Sequence, residues 1–148
     1  MVYEERKGDI FKLDSDYVLV QPISRAYERP EIYLPFDDVF PALRVYTLNK
    51  IDRNLLSVPS AVRYPGIDSP FSVISILLSD LGFSDLQASV LSKGFEFLKE
   101  ICDSYRIHNI SMYSIKFQTL SWDVVRTCLQ GVFKDTSLKI LIINNQEV

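Results

Sequence analysis

The chain has 148 residues, 47% of them apolar and 24% charged, with a formal charge of −3. That length can bury a real core, and the balance excludes disordered and collagen-like classes. A pI near 5.1 gives no general attraction to nucleic acid, whose binders display a basic face.

The first elements alternate with turns. Residues Val2 to Arg6 mix apolar and charged side chains as an edge strand does, and Gly8-Asp9 breaks the pattern. Tyr17 to Gln21 is continuously apolar up to Gln21, the habit of a strand buried on both faces, and Pro22 is expected to end it. From Ser24 to Asn54 the chain is polar, with Pro30, Pro35 and Pro41 confining helix to a short stretch between Phe36 and Leu43. Arg44 to Leu48 reads as a strand, and Ser57 to Ile67, which holds Pro59, Pro65 and Gly66, as a loop.

The second half is more regular. Phe71 to Leu78 is an apolar strand, and Ser84-Asp85 marks a helix start. The helix from Asp85 to about Arg106 is expected to bury Leu86, Val90, Phe97, Leu98, Ile101 and Tyr105. Ile107 to Ile115 gives the next strand. Ser121 and Asp123 cap a helix with Val125, Leu129, Val132 and Phe133 on one stripe, and Lys139 to Ile143 closes the series. Strands alternating with helices in this way build a parallel sheet, because right-handed crossovers lay helices on the sheet faces.

Isolated reactive residues offer little chemistry. Cys102 and Cys128 fall in helical patterns without a CxxC pair or a second histidine nearby, so they read as free thiols in a reducing compartment and not as metal ligands. His108 is the only histidine and sits at a strand entrance with no catalytic motif around it. The pairs Asp14/Asp16 and Asp37/Asp38 lack the spacing of a calcium loop and read as solvated turns. No apolar stretch approaches the ~20 residues of a membrane span, and the N-terminal residues lack the core of a secretion signal, so a soluble cytoplasmic chain with no membrane partner is expected. Tyr27, Tyr33, Phe36, Phe40, Tyr46 and Tyr64 crowd the irregular first half, as core filling or as a protein-binding surface.

Gly8-Asp9-Ile10, the overall strand order, and the run Leu120-Ser121-Trp122 followed by helix and closing strand resemble a macro domain, the ADP-ribose-binding α/β/α module. The resemblance implies one domain over residues 1–148, with a three-layer α/β/α fold around a mixed, largely parallel sheet. It also implies that Asp9 accepts from the adenine amino group while the Ile10 amide faces the ring. A turn-capping role for Asp9 beside Gly8 stands as the competing reading.

The family's Asn-rich segment falls by gapless spacing on Val20 to Ile23, neither of which can orient a ribose. A one-residue insertion would bring Gln21 and Ser24 there. Its second phosphate loop falls on Tyr113 to Thr119, where Ser114, Lys116 and Thr119 offer donors and a charge, but no glycine brings backbone N–H groups together and Ile115 and Phe117 are bulky.

The sequence therefore points to a binding module with no cofactor and no catalytic residue. It would act on a protein partner through the surface from Ser24 to Pro70, with a homodimer permitted. The alternative is an ADP-ribose-like nucleotide held by Asp9, Ile10, Gln21, Ser24, Ser114, Lys116 and Thr119, with residual ADP-ribosyl hydrolase or phosphatase activity. Divergence of this kind suits a viral or phage protein working in the host cytoplasm.

Overall fold

Six strands, Val2–Lys7 (β1), Val18–Ser24 (β2), Ser60–Tyr64 (β3), Val73–Ser79 (β4), Asn109–Tyr113 (β5) and Lys139–Asn144 (β6), form one sheet in the computed structural model, which describes residues 1–67 and 69–144. The strand order is β1-β6-β5-β2-β4-β3, and all neighbours are parallel except β3, which runs antiparallel to β4. Four helices, Phe36–Val39 (α1), Leu43–Arg53 (α2), Ala88–Ser104 (α3) and Trp122–Phe133 (α4), cover the two faces and make the expected three layers. No helix among the described residues is long and apolar enough to cross a membrane.

Alternation along the inner strands divides the core. Ile76 and Leu78 of β4 point to α3, where Gly94 lets the helix approach: a Cβ there would stand 2.7 Å from Leu78 Cδ2 and 2.8 Å from Ile76 Cγ2. Ile23 of β2 and Leu77 of β4 point the other way and pack with Val62 of β3 and Ile51 of α2. Gly94→Leu should lower the unfolding free energy by about 2 kcal/mol in urea denaturation, because a close-packed layer must open to admit the side chain.

Several elements depart from the sequence expectation. Arg44 to Leu48 is not a strand; it lies in α2, whose Leu43, Thr47 and Ile51 are buried at i, i+4 and i+8. Residues 57–67 are not all loop, since Pro59 and Pro65 bracket β3 without interrupting it. The helix after β4 begins at Ala88, three residues past the anticipated start at Asp85, and its buried stripe is Leu91, Gly94, Phe95, Leu98 and Cys102. Phe97 and Tyr105 face outward at 38% and 56% exposure, because this helix carries apolar residues on two faces and the sheet takes the one centred on Gly94. Burial pushes the Cys102 thiol pKa up to about 12, with Asp103 adding to the shift, so the thiol stays protonated.

Pro22 does not end β2, which continues to Ser24. The Leu19 N–H points toward β4, donating to the Ser72 carbonyl, so by alternation the Pro22 nitrogen faces the β5 side. The ladder between β2 and β5 covers only Val18 and Leu19, paired with Ile110 and Ser111, and a proline beyond its end costs no bond. The two strands consequently part at their C-terminal ends.

At the other side of the sheet, β1 is fastened to α4. Arg126 Nε donates to Glu5 Oε2 at 2.6 Å, and the Tyr3 hydroxyl donates to the same oxygen at 2.6 Å. Burial pushes the Glu5 pKa upward, but the hydrogen bonds from Arg126 and Tyr3 outweigh it and hold the carboxyl below its usual range. A depressed folded-state pKa contributes stability that is fully present above the unfolded carboxylate value and disappears as pH falls through the folded one. Arg126→Met should therefore lose stability near neutral pH and flatten the acid limb of a stability profile followed by urea denaturation at each pH.

Candidate ligand crevice

The crevice beyond the carboxyl ends of parallel strands is where open α/β sheets bind ligands. Here the parting of β5 and β2 opens the sheet at that level, and the loops after β1, β2, β4 and β5 surround the opening. The Ser114 N–H donates back to Ile143 of β6, so the Tyr113 N–H, next in alternation, is directed into the gap.

A side chain occupies that gap. The Tyr33 hydroxyl accepts from the Tyr113 N–H at 3.0 Å. Tyr33 is fully buried, and its ring meets the rings of Tyr113 and Phe36 edge-on, each at 5.1 Å. Phe36 and Phe40 extend the cluster to Phe11, in the short 3-10 turn after Asp9. Burial raises the Tyr33 hydroxyl pKa far above the phenol range, so the group stays neutral.

Arg29 holds the segment that carries Tyr33. Its side chain is 4% exposed and grips Asp37 with two prongs, at 2.9 and 2.7 Å. It also donates to the carbonyls of Tyr27 and Tyr33 and lies 4.4 Å from the centre of the Tyr27 ring. Tyr27 takes a left-handed conformation, φ 63°, in the tight turn where Ser24 N–H donates to the Glu28 carbonyl. Glu28 then accepts from the Gly82 N–H, joining the loops after β2 and β4.

The sequence candidates take different places around this plug. Asp9 is exposed, and its carboxylate accepts from the Phe11 N–H at 3.0 Å, as a turn cap does. It also lies close enough to add to the effect of burial in pushing the Tyr113 pKa up to about 12. Ile10 is fully buried in the core. Gln21 is buried beneath the α2 layer, where its amide donates to Ser75 Oγ and Tyr27 Oη; its Oε1 has no partner among the described residues. Ser24 Oγ accepts from the Glu28 N–H.

In the loop after β5, Ser114 is half-buried, Lys116 is exposed, and Thr119 hydrogen-bonds the Leu86 carbonyl. Ile115 and Phe117 are 5% and 8% exposed, with Phe117 packed on Phe83 at 5.2 Å. A 310 Å³ recess outside the plug is lined by Arg29, Phe83, Ser84, Lys116 and Phe117 among others. Lys116 is thus the one sequence candidate that borders this recess. Tyr33 and Arg29 were not anticipated as site residues; the proline-bounded aromatic segment around Tyr33 was the only signal for them.

His108 is exposed and lines a separate 420 Å³ cleft at the opposite end of the sheet, with Lys99 and Arg106. Among the described residues no cluster of histidine, cysteine and carboxylate side chains could hold a metal ion.

A largely parallel sheet between two helical layers, opened at the carboxyl ends of its middle strands, defines a three-layer α/β domain. The fold is that of the macrodomains. The macrodomain of DarG from Thermus aquaticus superposes with a TM-score of 0.81 at 13% identity, covering 96% of this chain and 97% of that one. The macrodomain of Mycobacterium tuberculosis DarG gives 0.79 at 15% identity, covering 99% of both chains. A variant of the Oceanobacillus iheyensis macrodomain solved with ADPR gives 0.70 at 14% identity, over 98% of this chain and 84% of the other. No family model and no curated protein sequence matches the chain.

Proposed function

We propose that this chain is a macrodomain-fold binding module that carries out no turnover, has given up the family's phosphate loops, and acts through contacts with a protein. The observation that carries this reading is the hydrogen bond from the Tyr113 N–H to the buried Tyr33 hydroxyl. A backbone donor at the mouth of the crevice, the kind of group that would meet an anionic ligand, is already satisfied by the protein itself. The burial of Ile115 and Phe117 in the loop after β5 supports the same conclusion, because their bulk lies where a phosphate cradle requires bare backbone.

ADP-ribose added at millimolar concentration should give no calorimetric heat and no rise in Tm, since any ligand that binds only the native state must raise apparent stability. A rise in Tm that Asp9→Ala abolishes would overturn the reading. It would support a second one, nucleotide binding with residual ADP-ribosyl hydrolase or phosphatase activity, which is favoured by Asp9 near Tyr113 and by Lys116 on the 310 Å³ recess.

A further inference from the structure

The sheet has two outer edges, and they differ. On β1 the exposed Glu4 and Arg6 form a 3.8 Å pair of mixed sign, and such charges discourage the docking of another strand. On β3 both faces are covered, by α2 and by α3, while the outer edge meets no strand among the described residues. A 270 Å³ groove follows that edge between the C-terminal ends of the two helices, with Tyr46, Lys50 and Asn54 on one wall, Ile101 and Tyr105 on the other, and Arg63 between them.

The chemistry of this groove is one-sided. Lys50 Nζ stands 5.6 Å from the centre of the Tyr46 ring, and the Arg63 guanidinium lies 4.2 Å from that of Tyr105. Among the described residues the buried Arg63 Nε has no hydrogen-bond partner, an arrangement that costs free energy until an acceptor satisfies it. Among the described residues no acidic side chain lines this groove or the adjoining 230 Å³ recess, where Arg53 joins Lys50. In a chain of net charge −3, this is a basic strip laid along an open strand edge.

We infer that the outer edge of β3 is a docking site for an extended, acidic peptide segment of a protein partner. The segment adds a strand to β3 and sets its carboxylate-bearing face on Arg63, with Lys50 adding positive charge to the same groove. Main-chain hydrogen bonds to a strand edge supply affinity, and alternate side chains of the added strand supply selectivity. The Arg63 fork, stacked on Tyr105, is preset for two-pronged carboxylate contact, and the aromatic walls shield the pair from water. This inference rests on the protein-binding reading and gives it a location and a partner chemistry.

The probe is a fluorescein-labelled, end-blocked octapeptide of alternating valine and glutamate, followed by anisotropy and by backbone amide NMR of the full chain. The expected result is binding that moves the amide resonances of β3 and the Arg63 Nε–H, with no binding of the valine–lysine counterpart. Lys50→Glu, at an exposed position, should weaken binding about tenfold, as charge reversal across an interface does, and Arg63→Glu should abolish it.

Three results overturn the inference: no binding, equal affinity for the lysine peptide, or binding that leaves β3 unmoved and ignores Lys50→Glu. ADP-ribose resonance shifts around Asp9 and Lys116 would sink the closed-crevice reading while leaving the β3 result intact. Silent β3 amides would sink this inference while leaving the crevice closed.

Discussion

Tyr33→Ala is expected to lower the unfolding free energy by about 4 kcal/mol, the upper range for removing a buried aromatic side chain. The ring touches Phe36 and Tyr113, and the hydroxyl answers a buried N–H, so truncation leaves both a void and an unpaired donor. Tyr33→Phe separates the two contributions: the ring stays, the Tyr113 N–H loses its acceptor, and the cost falls to about 2 kcal/mol. Urea denaturation of the three proteins measures both values. Equal stability of wild type and Tyr33→Phe would show that water satisfies the N–H and that the hydroxyl is not the plug.

Arg29→Ala should cost about 2 kcal/mol, because truncating a buried side chain leaves a void and takes the donor away from two backbone carbonyls. Asp37 is 42% exposed and can return to water, but the Tyr27 and Tyr33 carbonyls and the Tyr27 ring lose their neighbour. Arg29→Lys should fall between wild type and alanine, since an ammonium group cannot reproduce the planar two-pronged contact with Asp37. Limited proteolysis supplies a second measure: cleavage between Arg25 and Phe40 should accelerate in Arg29→Ala more than elsewhere in the chain, because that segment would open locally. Uniform acceleration would mean that Arg29 stabilises the whole fold and not this segment.

What could be read from the residues followed the range of the interactions involved. The helix with Val125, Leu129 and Phe133 was legible because its stripe is single and Ser121 caps it, the Ser121 side chain accepting from the Val124 N–H. The macrodomain resemblance was legible from strand order and Gly8-Asp9-Ile10. The β-branched and aromatic run Val45-Tyr46-Thr47 looked like strand over five residues, and only the longer spacing Leu43, Thr47, Ile51 reveals the helix. Pro59 and Pro65 argued against a strand that they in fact delimit.

The site was least legible where it depends on distance in sequence. Tyr33 and Tyr113 are 80 residues apart, and no local pattern states that one hydroxyl fills the place left by a strand. Arg29 lies in the stretch from Ser24 to Asn54 that reads as polar, and no local pattern marks it. Its burial follows from the turn at Tyr27 and the position of Asp37, both set by the packed aromatic cluster.

Pro22 acts in the interior of the sheet as prolines usually act at a sheet's rim. By offering no hydrogen toward β5, it removes one of the donors that would let that side of β2 zip further, although the strand itself runs on to Ser24. The domain thus contains an internal seam, where the ladder between β2 and β5 stops after Leu19 and the Tyr33 side chain meets the Tyr113 N–H in place of a strand. What the seam admits is therefore decided by substitutions in the segment that carries Tyr33, with the sheet itself left unchanged.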